Sequence, residues 1–441
     1  MRARFAFQKT TAWMASLPVG GKWGYTLSAA VQKNLRWFWF DSLFASAYDN
    51  IIANFLSLFV LSLGAVEYQI GLMSSLANFS SALLLLVGAV LAEQTGRHKE
   101  ISVLCGGIFG RLSVLLLVFV PILFKGADLI WIAIVLAVVR EGVGNLGYPS
   151  WMSVVNETVP LEGRGRFFGS RNFIMSLSGM VAVLLAGKVI TLFTGHTGYQ
   201  FALGLAFVMG VASTYSFAHI RVQRKTRKAI HISSITPRAA INLLKRQPQF
   251  LALILTAGLW NFSINISAPF FNVHMVKDLG FTASVVGLTN VLNALSGLLV
   301  LNQVGKLADR WGPRKLQLIN MAIIPVLPLA WIFATAPWHV ALINGIGGAM
   351  WAAYNLTSFN LLLNTIPAEQ VPRYSAIYQV MVTLAMAFGA LAGSALIERW
   401  SFTAVMLGTL AGRILSAILF AVFVKEPEKD SRLLPSSDLS Q

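Results

Sequence analysis

Gly305-Lys306-Leu307-Ala308-Asp309-Arg310-Trp311-Gly312-Pro313-Arg314-Lys315 is a charged island between two long apolar runs. The runs on either side, Ser284–Val304 and Leu316–Thr335, each approach the roughly 20 residues that an apolar helix needs to cross a bilayer. A weaker copy of the island stands 216 residues earlier, at Ala89-Val90-Leu91-Ala92-Glu93-Gln94-Thr95-Gly96-Arg97-His98-Lys99, again between apolar runs. The same shift, without a gap, lays Leu43 on Leu259, Phe55 on Phe271, Gly64 on Gly280, Gly71 on Gly287, Ser80 on Ser296 and Gly96 on Gly312. Leucine matches are cheap in apolar sequence, but glycines in unbroken register are not. A second, separate echo relates Thr158-Val-Pro-Leu-Glu162 to Thr365-Ile-Pro-Ala-Glu369. The chain reads as two copies of one unit.

Working outward, apolar runs separated by polar breaks give twelve predicted spans. Six lie at Trp37–Leu63, Gln69–Leu91, Ile101–Phe124, Leu129–Val155, Phe167–Leu192 and Tyr199–His219. Six more lie at Phe250–Val276, Ser284–Val304, Leu316–Thr335, His339–Ile366, Tyr374–Ile397 and Phe402–Val424. The composition agrees: of 441 residues, 56% are hydrophobic and 12% charged, about half the charge of a soluble domain. The expected fold is an all-α membrane protein of twelve transmembrane helices in two six-helix, pseudo-symmetric halves. The expected organisation is an N-terminal tail (1–36), a first half (37–220), a basic linker (221–249), a second half (250–425) and a C-terminal tail (426–441). In the linker, Thr236-Pro237 is read as opening a short surface helix.

The formal charge of +17, from 34 Lys and Arg against 17 Asp and Glu, alternates along the chain. The N-terminal tail and every second loop are basic (Arg97–Lys99, Arg164–Arg171, Arg221–Arg246, Lys306–Lys315), and the loops between hold little charge. This places both termini and the linker in the cytoplasm and accounts for the basic balance without a nucleic-acid partner. Cys105 is the sole cysteine, so an intramolecular disulfide and a cysteine metal cluster are excluded. The six histidines show no ligand spacing, and no phosphate loop or hydrolytic triad occurs. We expect no metal, no cofactor and no enzymatic activity.

The Gly305–Lys315 island resembles the cytoplasmic signature loop of the major facilitator superfamily, G-x-L-A-D-R-x-G-R-K, with Pro313 in place of a basic residue. Its copy departs further: Ala89, Glu93 and Gln94 replace the glycine, aspartate and arginine. The resemblance covers roughly residues 37–425. It implies a secondary transporter of a small organic solute, working by rocking of the halves, monomeric, and housed in a bacterial inner membrane. It also implies that Glu93, Gly96, Arg97, Gly305, Asp309, Arg310, Gly312 and Arg314 form a cytoplasmic gate that fastens the outward-open state. The alternative for these loops is a basic, topology-fixing turn. Arg140-Glu141-Gly142-Val143-Gly144 is similar to the family's fourth-span pattern, where the arginine is tied to proton coupling, although Val143 stands in for the usual glutamine. Span 5 lacks the drug/proton antiporter signature G-x8-G-P-x-x-G.

A charge at mid-membrane is costly, so a deep ionisable group is a functional candidate by default. Asp49 in span 1 and Arg140-Glu141 in span 4 fall near mid-depth, and in the resembling fold both spans line the central cavity. Burial disfavours a charged carboxylate and a nearby arginine favours it. A carboxylate at Asp49 or Glu141, tuned by Arg140, therefore suits a proton carrier, with a static ion network as the alternative. Arg111 and Arg413 are expected to turn inward onto carbonyls or acids, and Asp41 and Lys188 to snorkel. The second half is neutral but polar. Asn261 and Asn265 in span 7, Asn290 and Asn293 in span 8, Trp351 and Asn355 in span 10 and Tyr378 in span 11 suit a binding wall for an uncharged or zwitterionic solute. Their alternative role is to bond helices together. An efflux antiporter of the same fold and a non-transporting lipid-handling or assembly protein are the competing functions.

Overall fold

The computed structural model describes residues 16–222, 247–366 and 371–425. The linker helix expected at Thr236 and the C-terminal tail lie outside the described residues. Two 3-10 turns, Leu17–Val19 and Lys22–Thr26, lead into the first long helix. Helices α1 to α6 are Ala29–Ser62, Glu67–Thr95, His98–Leu123, Ala127–Thr158, Arg164–Thr191 and Thr197–Ala218. Helices α7 to α12 are Pro248–Lys277, Ala283–Trp311, Pro313–Ile332, Pro337–Thr365, Val371–Arg399 and Phe402–Phe423. Among the described residues there is no strand.

Eleven of these helices are long and apolar enough to cross a membrane. The exception is α10, whose 29 residues would reach about 43 Å. Its length exceeds the bilayer core, but its asparagines, His339 and glycines hold down its hydropathy. Helix α1 starts at Ala29, ahead of the predicted Trp37. Its first turns are held by packing: Leu35, Phe38 and Trp39 are buried with Val154, Val155, Phe167 and Phe217. Proline shapes the interiors of other helices. Pro269 interrupts α7 at the 3-10 turn Ala268–Phe270, as expected where a backbone donor is missing and the ring crowds the preceding turn.

The packing repeats with the sequence. In the first half α1 lies against α5 and α6, and α2 against α4; in the second, α7 lies against α11 and α12, and α8 against α10. The halves meet through α2 on α11 and α5 on α8, a pair of contacts that the same symmetry interchanges. The repeated glycines have local reasons. Gly96 and Gly312 end α2 and α8 with φ of 61° and 82°, a left-handed backbone that side chains resist. Gly71 and Gly287 sit where the halves cross: a side chain on Gly71 would strike Phe270 and Ser394, and one on Gly287 would press on Val183.

Candidate functional site

A cavity of about 460 Å³ lies between the halves. The first half lines it with Ser46, Asn50 and Asn54 of α1 and Met175, Gly179 and Val183 of α5. The second half contributes Asn290, Asn293 and Gly297 of α8 and Gly348, Trp351 and Asn355 of α10. On α1 the spacing of Ser46, Asn50 and Asn54 is i, i+4, i+8, so one helical face carries all three. Ser46 donates to the Met175 carbonyl at 2.6 Å and thereby fixes α1 on α5.

Four of the cavity residues expected from sequence are on this wall: Asn290, Asn293, Trp351 and Asn355. Asn261, Asn265 and Tyr378 are not among its lining residues. Asn261 and Asn265 donate to carbonyls one turn back in α7, those of Ala257 at 2.9 Å and Asn261 at 3.1 Å. Tyr378, half-buried on α11, groups with Ser358 and the buried Tyr354 of α10. Sequence reasoning does not single out Asn50 and Asn54, although their four-residue spacing from Ser46 carries the signal; the charge of Asp49 beside them is the louder feature.

Asn54 closes the cavity on one side. Asn290 donates to its side-chain oxygen at 2.6 Å, and Asn272, just past the break in α7, donates to its backbone carbonyl at 3.0 Å. Within the second half, Asn290 also donates to Asn272 at 3.3 Å. Toward the end away from the signature loops, Ser394 donates to the Tyr68 carbonyl at 2.6 Å and the Thr191 and Ser284 hydroxyls stand 3.1 Å apart. Outermost, Lys277 pairs with Glu67. Apart from the Asn290–Asn272 bond, these contacts join one half to the other at that end. Interhelical hydrogen bonds in membranes average about 0.6 kcal/mol, so the latch is a sum of small terms. Asn54→Leu, which removes the acceptor of Asn290, is expected to shift the closed end toward opening by about threefold to tenfold. Disulfide crosslinking of Thr191→Cys with Ser284→Cys, in a Cys105→Ser background, reads this directly; an unchanged yield would assign the latch no weight.

The Glu67–Lys277 pair, outside the apolar span that begins at Gln69, gives this end a pH dependence. Burial pushes the Glu67 carboxyl up, but the hydrogen bond and charge of Lys277 outweigh it, and the net is a pKa below the usual carboxylate value. A depressed folded value means that the pair's contribution is present above the ordinary carboxylate pKa and is lost as pH falls through the lower one. Lys277 is half exposed, so the contribution stays within about 1 kcal/mol. The population of the closed end, read as the distance between spin labels on Thr191→Cys and Ser284→Cys rather than as a crosslink, is therefore expected to be flat from neutral pH to the ordinary carboxylate range and to fall only in stronger acid. Glu67→Gln should abolish that fall.

The charged residues of the first half converge on Tyr48, which is fully buried. Arg140 donates to its hydroxyl at 3.4 Å and pairs with its neighbour Glu141. The Arg111 guanidinium from α3 lies 3.6 Å from the centre of the Tyr48 ring, a cation–π contact. Asp49, next along α1, feels the charges of Arg111, Arg140 and Glu141. Asp49, Arg140 and Glu141 are thus brought together, one residue from the cavity-lining Asn50. They are not themselves on the cavity wall. Arg111 joins them, stacking on an aromatic ring rather than bonding a carbonyl or acid. Asp41 does not snorkel: it is 5% exposed and accepts from Ser213 at 2.7 Å. The guanidinium groups of Arg171 and Arg111 act on it electrostatically, and such bonds and cations offset part of the cost of burying a carboxylate.

At the signature loops, Arg314 donates to the last carbonyls of α12, those of Val424 and of Ala421, the latter at 3.0 Å. A cation satisfies the orphan carbonyls and complements the negative end of a helix, so Arg314 ties α9 to α12 inside one half. Asp309, Arg310 and Arg97 are exposed, and Asp309 makes no hydrogen bond or ion pair among the described residues. Gly305 is half-buried near the end of α8, and Glu93 on α2 is also half-buried.

Comparison with known proteins places this architecture. The Major Facilitator Superfamily profile matches residues 38–358 and 262–439. The chain belongs to the Major Facilitator Superfamily. Among the superfamily's curated members it is 24% identical over 401 residues to the multidrug resistance protein MdtG of Salmonella paratyphi C, covering 88% of this chain and 94% of the relative. It is 23% identical over 384 residues to the multidrug resistance efflux pump PmrA of Streptococcus pneumoniae, covering 85% and 92%. Among solved structures, the nucleoside transporter NupG superposes with a TM-score of 0.67 at 14% identity, over 89% of this chain and 99% of the other. At that identity the likeness is one of fold. The chain is a membrane transporter of this superfamily, not an enzyme.

Proposed function

We propose that the protein is a proton-driven exporter of amphipathic organic solutes, working by alternating access at the cavity between its halves. The observation that carries this reading is the pairing of a polar-and-aromatic cavity with an adjoining cluster of exchangeable charge. Trp351 and the asparagines offer flat apolar contact and adaptable hydrogen bonds, which suit varied uncharged or zwitterionic solutes. Asp49, Glu141 and Arg140 supply a site where a proton changes ion pairing beside that cavity. The missing antiporter signature in α5 weighs against efflux; the multidrug proteins that the chain resembles over most of its length weigh for it. The basic loops orient the signature-loop end toward the cytoplasm. The latched end is then the outer one, and the described state faces inward, with Asp309 released from its clasp. On this reading the protein resides in a bacterial inner membrane as a monomer.

The test is transport by the purified chain in liposomes. An imposed proton gradient should drive an uncharged or zwitterionic aromatic drug, such as a fluoroquinolone, against its own gradient, and cells expressing the protein should accumulate less of it. Accumulation in place of extrusion would assign symport. No gradient-driven flux across a broad panel of organic compounds would overturn the transport mechanism. Asp309→Asn, by removing the carboxylate charge of the clasp in the outward-open state, should lower turnover severalfold without lowering the amount of protein in the membrane; unchanged turnover would reduce the loop to a topology signal.

A further inference from the structure

The second half contains a buried cation without a counter-charge. Arg413 sits halfway along α12 and is 3% exposed. No described residue forms a hydrogen bond or ion pair with it, and its Nε is among the buried nitrogens without a partner. Its guanidinium lies 5.5 Å from the centre of the Trp351 ring and 6.0 Å from that of Trp260. Aromatic faces compensate a cation in part, but they accept none of its N–H groups. Two further donors on the adjoining elements are equally unpartnered. Thr409 Oγ1, one turn before Arg413 on the same face of α12, and Trp260 Nε1, on the facing helix α7, are buried with no hydrogen bond. Helices α7 and α12 are held together here, with Ser416 donating to the Thr256 carbonyl at 2.9 Å.

The acidic residues described in this half, Asp278, Asp309 and Glu398, stand at helix ends and in loops, far from the middle of α12. A guanidinium does not shed its proton to escape burial, and an unpaired buried charge is strongly unfavourable. The first half solves the same problem with carboxylates around Arg111 and Arg140; the described residues of the second place none at mid-span.

We propose that the α7–α10–α12 core of the second half is a binding site for a small monoanion, chloride or a carboxylate, held by Arg413 with Thr409 and Trp260 as further donors. Three donors and one positive charge match an acceptor of charge −1. Trp351 has one face toward this site and also lines the central cavity, so the anion stands directly behind the solute wall. A carboxylate carried by a solute and a free inorganic anion share this chemistry.

The experiment is thermal unfolding of the full-length protein in lipid nanodiscs, titrated with chloride or with acetate against a background of bulky gluconate at constant ionic strength. The expected result is a saturable rise in Tm with one of the two anions. Saturation by chloride assigns an inorganic ion, and saturation by acetate alone assigns a carboxylate. Arg413→Met, which replaces the cation by an apolar chain, should remove the saturable rise. Thr409→Val should weaken the apparent affinity by about tenfold, the loss expected for one hydrogen bond to a charged group. Should Arg413→Met fail to fold, the Thr409→Val titration decides alone. A Tm that responds to neither anion, or that responds equally in wild type and Thr409→Val, would overturn the proposal.

Discussion

Asp49→Asn combined with Glu141→Gln is expected to abolish uptake or extrusion driven by a pH gradient while leaving solute binding and protein abundance near wild type. Both replacements keep the shape and hydrogen-bonding reach of the carboxylates and remove only the charge that a proton can neutralise. In the structure Glu141 is paired with Arg140, and Arg140 also reaches the Tyr48 hydroxyl. Asp49 interacts with Arg111 and Arg140. Protonation of Glu141 would free Arg140 to turn toward Asp49, and a movement between two such partners is the kind of two-state element that couples a proton to a change of shape. With both acids gone a proton has no group in the cluster to neutralise, so energised flux should fall on the order of a hundredfold, the low end of what a positioned proton-transfer group contributes. Each single variant should fall less, because the remaining acid still answers the arginines. Solute exchange across membranes without a gradient separates the outcomes: exchange kept with driven flux lost fits a coupling role. Driven flux intact in the double variant would leave the cluster as a static brace.

The second large effect concerns assembly. Gly348 of α10 is pressed against α8, where an added Cβ would overlap the carbonyl oxygen of Asn293; Gly88 of α2 meets the Leu146 carbonyl of α4 in the same way. Backbone atoms at a helix crossing cannot rotate aside as a side chain does, so a branched residue there must push the helices apart. Overpacking of this kind costs about 1–3 kcal/mol or more, and at Gly348 it would also displace Asn293 and Trp351 from the cavity wall. Gly348→Val should reduce the properly assembled fraction in mild detergent severalfold, read as the monodisperse peak after size exclusion, and eliminate transport. Gly305→Val, at a glycine whose Cβ meets nothing within contact range, is the control and should assemble normally. Equal behaviour of the two variants would show that the crossing tolerates separation.

The spans are legible because the bilayer imposes a length and a polarity on every crossing segment, and the repeat is legible because glycine alone satisfies its left-handed turns and tight crossings. Asp49, Arg140 and Glu141 stand out for the same reason: charge is scarce at mid-membrane, so each instance is visible. The asparagines are harder. Asn290 and Asn293 face the cavity whereas Asn261 and Asn265 bond within their own helix, and nothing in residue type separates these outcomes. The face that α7 turns to its neighbours is set by how α11 and α12 pack on it, not by its own periodicity. Asn54 is silent in sequence because its importance lies in partners more than two hundred residues away.

Sequence by itself therefore determined what local physics decides: which segments are apolar, where they turn, that the unit is duplicated, and which loops carry the basic residues. Tertiary structure decided everything that depends on two segments meeting. Arg111 and Arg413 are both lone arginines in apolar helices, indistinguishable by composition. Packing delivers one to Tyr48 in a cluster that holds carboxylates, and the other to Trp260 and Trp351 with no described acid in reach. The field around a buried charge comes from its neighbours in space, and only the folded chain assigns them.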